Sequence, residues 1–306
     1  TTLSVLCVGL PNGVTYLGDL GRPRVLVGYF VDGGSEAAII ETGPSRFVDE
    51  YLSKATSIVK GGRLGWSLVS HVHLDHAGGA WRAVELRPNL KVGVYEKGYK
   101  HLVDPTRLIE SARQALGSVY DVWGEIRPTP PSSLVALKDG EAVSIGSLTA
   151  RLIAAPGHAP HSSVWYLEEN RVLFSGDALG IYVDGGANRF VWPTTPPPTY
   201  DYDLAVATIS KIRKLKIDAI CFPHYGYSTD VDEAFRLIDE GFNAWFEVTE
   251  KATSDSWSTQ EILEQLSKRL PITPLLRDEY LRSLILMDIR GMVDYHLRKH
   301  GGKKPD

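Results

Sequence analysis

The sequence is short of the residues that mark several large protein classes. Only two of its 306 residues are cysteine, Cys7 and Cys221, too few for a disulfide framework. Each lies inside an apolar, strand-like run and reads as a buried small hydrophobe. No run approaches the roughly 20 apolar residues that span a bilayer. The opening TTLSVLCVGL lacks the basic start and cleavage pattern of a secretory signal, so a cytoplasmic location without a membrane partner is expected. Positive charge is not in excess: 33 Lys and Arg against 37 Asp and Glu give a net charge of -4, which disfavours nucleic acid as a partner. Three Gln and five Asn are few, a depletion seen in proteins from hot environments. Low-complexity tracts and solenoid repeats are missing.

What is present is ordinary for a globular chain: 43% hydrophobic and 23% charged residues, in a length that suits one large domain or one domain with an extension. SVLCVGL, VTYLG and RVLVGYFVD are rich in β-branched and aromatic residues, and Gly33-Gly34 turns the chain into AAII; this reads as a meander. From Ser45 to about Ala55 the spacing is helical, with Phe47, Tyr51 and Leu52 on one side. SLVSHVH reads as another strand and GGAWRAVEL as the start of a helix.

A second strand-rich half begins near Ser132 with SLVALKDGEAVSIGSLTARLIAA, then SSVWYL, the turn Glu168-Glu169-Asn170 and VLFSGDAL. Strands followed by helices, twice over, predict two packed sheets with helices outside. From Asp203 the period is helical except for IDAICFP. Val231, Ala234, Phe235, Ile238, Phe242, Trp245 and Phe246 form one stripe. Helices near 259–270 and 277–299 complete a C-terminal extension, GGKKPD is a frayed tail, and the Pro-rich residues 192–200 form a stiff loop.

His71-Val72-His73-Leu74-Asp75-His76 puts three imidazoles and a carboxylate in six residues after an apolar strand. On an extended backbone His71 and His73 share a face, and the following turn can aim Asp75 and His76 at a neighbouring point. That suits two metals. Nitrogen and oxygen ligands without sulfur fit zinc, iron or manganese. Three further strand-like runs end in a possible ligand after Gly or Pro: AAPGH at His158, LFSGD at Asp177 and ICFPH at His224. A lone His or Asp on a loop is commonplace; the joint occurrence is what carries weight.

In this ordered set the chain resembles the metallo-β-lactamase superfamily, over roughly residues 3 to 228. The resemblance implies an αββα sandwich, with a catalytic domain over 1–229 and a helical extension over 230–306. It implies that His71, His73 and His158 hold one metal, that Asp75, His76 and His224 hold a second, and that Asp177 bridges them. His76 and the lack of a cysteine ligand separate the chain from the true zinc β-lactamases. APGHAPHSSVWYL and PHYG are similar to the glyoxalase II, lactonase and phosphotriesterase-like branch. Where that branch commonly carries Asp-Thr-Gly, this chain has Glu41-Thr42-Gly43, an acid that can support a ligand from behind.

Two adjacent divalent cations, zinc or iron with manganese also accommodated, lower the pKa of a bridging water enough to supply hydroxide near neutral pH and polarise the bond under attack. By resemblance Asp75 accepts the proton of the attacking water. His161 is either a supporting hydrogen-bond donor or pocket wall, or a partly exposed structural histidine. Tyr225 is either a donor to an oxyanion or a packed ring. Tyr182, Phe190 and Trp192 are candidates to wall an apolar pocket with the C-terminal helices, against plain core packing for the Phe242, Trp245 and Phe246 stripe.

The expected activity is hydrolysis of an ester-type bond of a small substrate: thioester, lactone or phosphotriester. Against a dedicated glutathione thioesterase, the final ligand sits in CFPHYG and Lys303 and Lys304 belong to the tail. The alternative is a persulfide dioxygenase of the same superfamily that uses one iron. A nuclease is disfavoured by the acidic balance, and a non-catalytic protein by the complete ligand set. Oligomeric state is left open.

Overall fold

The computed structural model describes residues 10–21, 25–59, 63–185 and 188–301; the expected strand SVLCVGL up to its last residue, with Cys7, and the tail beyond Gly301 lie outside them. The first sheet runs in the order β1 (Val14–Asp19), β2 (Val27–Asp32), β3 (Glu36–Ile40), β4 (Arg63–Leu68), β5 (Lys91–Tyr95) and β6 (Leu134–Leu137). The first three strands form the antiparallel meander, and β3 to β6 pair in parallel. Parallel neighbours cannot be joined by a hairpin, so each connection crosses over through helices: α1 (Val48–Ile58), then α2 (Leu74–Ala77) with α3 (Ala80–Leu86), then α4 (Glu96–Val103) with α5 (Thr106–Leu116).

The boundary expected near Ser132 is corrected by this pairing. Val92–Tyr95 lie in parallel register with Leu134–Leu137, so β6 closes the first sheet and the second begins after it. The second sheet contains β7 (Ala142–Ile145), β8 (Leu148–Ala154), β9 (Ser163–Leu167), β10 (Val172–Phe174), β13 (Ala219–Cys221) and β14 (Tyr227–Ser228), in the order β14-β13-β10-β9-β8-β7. A separate hairpin of β11 (Ile181–Gly185) and β12 (Asn188–Trp192) carries Tyr182, Phe190 and Trp192, ahead of the Pro-rich segment.

Strand alternation builds three apolar layers. Val27, Tyr29 and Val31 point between the sheets, while Phe30 points to the outer helices. On the second sheet Val172, Phe174, Ala219 and Cys221 point inward, and Leu173 and Ile220 point to the C-terminal helices. This is the αββα sandwich. Cys221 is a buried apolar group, as its strand context predicts. Trp165 is fully buried between the sheets, a side chain whose truncation to alanine costs roughly 3–5 kcal/mol. Its indole N–H donates to the Val69 carbonyl at 3.0 Å, so the core also grips the chain where β4 ends.

The C-terminal region holds α6 (Tyr202–Ile212), α7 (Val231–Asp255), α8 (Thr259–Arg269) and α9 (Glu279–Lys299). Asp201, Asp230 and Asp278 cap three of them by accepting backbone N–H groups, and Ser258 with Glu261 forms a capping box on α8. On α7, Ala234, Phe235, Ile238, Phe242 and Trp245 are buried in the layer beneath β12, so that stripe is core. Among the described residues no helix is long and apolar enough to cross a membrane.

Candidate metal centre

The chemistry-bearing side chains gather where β4, β8, β10 and β13 end. SLVSHVH is not a strand throughout: β4 stops at Leu68. Val69 N still donates to Gly93 O, but the Ser70 N–H then leaves the ladder and donates to Glu41 Oε2 at 3.0 Å, while Ser70 O accepts from Ser163 N. The backbone carrying His71 and His73 is therefore a loop tied down by a side-chain carboxylate. The two imidazoles nevertheless converge, with His71 Nε2 3.0 Å from His73 Nδ1. His158 Nε2 joins them at 2.9 Å from the same His73 nitrogen.

Asp75 and His76 follow on the single-turn α2. His76 Nε2 lies 3.5 Å from Asp75 Oδ2, and His224 Nε2 lies 3.8 Å from it. Asp177 stands between the two groups. Its Oδ2 is 3.9 Å from His71 Nε2 and 3.5 Å from His158 Nε2, whereas its Oδ1 is 3.4 Å from His76 Nε2 and 3.3 Å from His224 Nε2. The structure thus gathers all seven residues singled out from the sequence as ligands into two adjoining sets that share one carboxylate.

Each convergent imidazole except His73 is fixed through its other nitrogen. His158 Nδ1 donates to Thr194 O at 3.0 Å, His76 Nδ1 donates to Glu41 Oε1 at 3.2 Å, and His224 Nδ1 donates to the Val25 carbonyl. Carbonyl and carboxylate oxygens only accept, so these bonds put a hydrogen on Nδ1 and turn Nε2 inward as the atom that would meet a metal. His71 Nδ1 is 2.9 Å from Ser70 Oγ. Glu41, the acid that replaces aspartate before Thr42-Gly43, serves both Ser70 and His76, and it holds a left-handed φ of 63° to do so.

Burial and charge sort the histidines. Burial, aided by the neighbouring imidazoles, pushes His71 and His73 well below the usual imidazole range, and it also lowers His158. Burial acts against a charge on His76 as well, but Asp75, Asp177 and Glu41 outweigh it and raise that ring well above its usual range. His224 is raised against the same burial by Asp177. Burial pushes Asp177 up, yet His76, His158 and His224 prevail and hold it well below the usual carboxylate range.

The donor set fits divalent cations on grounds visible in the structure. His73 Nδ1 lies within hydrogen-bond distance of both His71 Nε2 and His158 Nε2, and a single hydrogen on it can serve only one of them, whereas a cation among the three nitrogens is met by every lone pair. His76 Nε2 and Asp177 Oδ1 are buried without a hydrogen-bond partner. Each set offers its ligand atoms within 4.8 Å of one another.

The centre lies in a chamber of about 850 Å³. Asp75, Tyr225 and His161 all face it, as do Trp192 and, from α9, Leu284 and Met287. Tyr225 takes a left-handed φ of 64° immediately after His224, so its place at the chamber is imposed by the backbone. His161 is a neighbour of the ligand rings, stacked 6.2 Å from His71 and edge-on 5.5 Å from His73, and burial depresses it to about 3. Tyr182 and Phe190 do not reach the chamber; Tyr182 stacks on Phe222 at 5.1 Å. Thr194, Ser70 and Asp288 have no part in the sequence-based reading. A hydroxyl or carboxylate that acts on a ligand from behind leaves no mark in residue spacing.

A profile described as the Metallo-beta-lactamase superfamily matches residues 22–224. A protein of Sulfurisphaera tokodaii, named a metallo-beta-lactamase fold-containing protein, is 28% identical over 215 residues, which is 68% of this chain and 76% of that one. An atrochrysone carboxyl ACP thioesterase of a Cryptosporiopsis species is 27% identical over 151 residues, 49% of this chain but only 37% of its own length. Among solved structures, a metallo-beta-lactamase family protein of Thermus thermophilus superposes with a TM-score of 0.65 at 20% identity, covering 94% of each chain.

Proposed function

The chain belongs to the metallo-beta-lactamase superfamily, and on that premise we propose that it is a binuclear metal-dependent hydrolase of ester-type bonds in small substrates. The observation that carries this reading is the sharing of Asp177, one oxygen toward His71 and His158 and the other toward His76 and His224. In this reading His71, His73 and His158 hold one divalent ion, Asp75, His76 and His224 hold the other, and zinc or iron is the natural occupant, with manganese accepted. Bound there, the ions supply Lewis acidity and a water of lowered pKa.

The rest is done by the chain's own groups. Asp75 is half-buried and faces the chamber, so its carboxylate can take the proton of the attacking water on the substrate side. Tyr225 stands beside His224 at the chamber wall, where its hydroxyl can donate to the oxyanion that develops. The apolar walls contributed by Trp192, Leu284 and Met287 hold the organic part of the substrate and displace water around the reacting bond. A thioester, a lactone and a phosphotriester all fit this chemistry. The thioesterase named among the relatives supports the first of them.

Metal content per chain, followed by turnover of thioester, lactone and phosphotriester substrates on the same sample, tests the reading. Two equivalents that depend on Asp177, with ester turnover, is the expected result: Asp177→Ala loses that metal and most of the activity while staying folded. A single iron, oxygen consumption and no hydrolysis would instead assign the chain to the persulfide dioxygenase chemistry of its superfamily.

A further inference from the structure

The C-terminal helices hold a second cluster of ligand-type side chains, none of which lines the chamber. Glu250 on α7 and His296 and His300 at the end of α9 each place a ligand atom within 4.8 Å of the others. The histidines are four residues apart, and His300 N donates to His296 O at 3.0 Å, so the helical turn continues and stacks the two imidazoles on one face.

The tautomer of His296 follows from its neighbour. Thr249 Oγ1 has one hydrogen, and it goes to the carbonyl of Trp245 at 2.7 Å or of Phe246 at 3.1 Å. The same oxygen lies 3.0 Å from His296 Nε2; with its hydrogen on a carbonyl it accepts there, which puts the imidazole hydrogen on Nε2 and leaves Nδ1 a bare lone pair. His296 is fully buried and its Nδ1 has no hydrogen-bond partner. The rings of Phe246 and Tyr295, at 4.8 and 5.4 Å, keep the imidazole from turning. Burial, with His300 and Lys299 adding to it, lowers His296 to about 4, which leaves the lone pair free of a proton at neutral pH. The nearby cation Lys299 is tied to Asp203 and to the Tyr295 hydroxyl, each at 2.9 Å.

We propose that Glu250, His296 and His300 form a further metal site, distinct from the centre around Asp177, that takes a transition-metal dication such as zinc. Two imidazoles and one carboxylate suit zinc, nickel or copper and not the all-oxygen preference of calcium or magnesium. Water completes the shell. Thr249 behind His296 supplies the supporting bond that such ligands use. An ion there joins the last turn of α9 to α7. Since α9 also walls the chamber through Leu284 and Met287, the ion braces that wall from the other end of the helix.

The test is zinc titration of the metal-depleted full-length chain and of its His300→Ala and Glu250→Gln variants, with bound zinc and Tm read on the same samples. His300 is exposed and Glu250 half-buried, so both variants fold. The expected result is that each variant binds one zinc fewer per chain, or binds the last equivalent about tenfold or more weaker, and loses part of the zinc-dependent rise in Tm. Equal stoichiometry, affinity and Tm response in all three proteins would overturn the site.

Discussion

Glu41 Oε1 lies 3.2 Å from His76 Nδ1, and the same carboxylate accepts the Ser70 N–H through its other oxygen at 3.0 Å. One buried acid therefore fixes both ends of the segment that carries His71, His73, Asp75 and His76. A residue that offers only one acceptor oxygen in this place keeps one of the two bonds and loses the other.

Glu41→Gln keeps the size of the side chain but turns an NH2 group toward one of two donors, the Ser70 N–H or the His76 Nδ1–H. Metal affinity is expected to fall about 10- to 100-fold, the usual cost of losing a hydrogen bond behind a ligand. Zinc titration checks it; affinity unchanged within threefold would show that the segment is held by Trp165 and the sheet alone.

The ligands were legible in the sequence because all seven come from segments in which a ligand ends an apolar run or clusters with others, and because chain order alone sorts them. The sandwich was legible from period-two runs such as Val27, Tyr29 and Val31. What escaped the sequence is the segment from β5 to α5. Its strand is short, and of α5 only Leu108 is buried; Ala112 and Leu116 are partly buried against the core and, with Ala115, also line the chamber, so the helical stripe of Leu108, Ala112, Ala115 and Leu116 is short and built half of alanine. The end of β4 at Leu68 was also invisible, because Ser70 leaves the ladder for Glu41, a partner 29 residues away.

The histidines divide the pH dependence in two. Opposing burial, the carboxylates raise His76 and His224, so their contribution to metal-free stability is complete below the unfolded value of about 6.5 and is lost as pH rises through the folded values. His71, His73 and His158 are lowered by burial, so stability is lost as pH falls below about 6.5, where the unfolded chain takes up protons that the folded one refuses. These five residues place the stability maximum of the metal-free chain near pH 6.5. With metal, His76 and His224 must release their protons, so the maximum moves to higher pH. Tm against pH, with chelator and with saturating zinc, checks both signs; curves of the same shape would refute the assignment.

Lys97, Lys100 and Arg107 line the chamber along α4 and the start of α5, and none of the three is ion-paired among the described residues. Apart from Asp75, Asp177 and Asp288, the one carboxylate in the lining is Glu96. Arg107→Glu is expected to lower kcat/KM for an ester bearing a carboxylate or phosphate about tenfold relative to its neutral analogue, and added salt should shrink the difference. An unchanged ratio would mean that these cations face only water.

Asp288 on α9 accepts the Thr195 N–H at 2.7 Å, next to the threonine whose carbonyl holds His158. Gly291, one turn further along, lets the helix touch this loop: a Cβ there would lie 1.7 Å from Thr195 O. Burial, with Asp177 nearby, pushes the Asp288 carboxyl well above the usual carboxylate range. Asp288→Asn keeps a carbonyl acceptor of the same shape where burial disfavours a charge, and should leave Tm and zinc affinity nearly unaltered. Asp288→Ala leaves a buried N–H unpaired, which costs about 1–3 kcal/mol, and releases the loop behind His158, which should weaken zinc about tenfold. If asparagine and alanine behave alike, the helix positions the loop through Gly291 packing and not through this bond; if alanine loses stability but keeps full zinc affinity, the bond supports the fold and not the ligand.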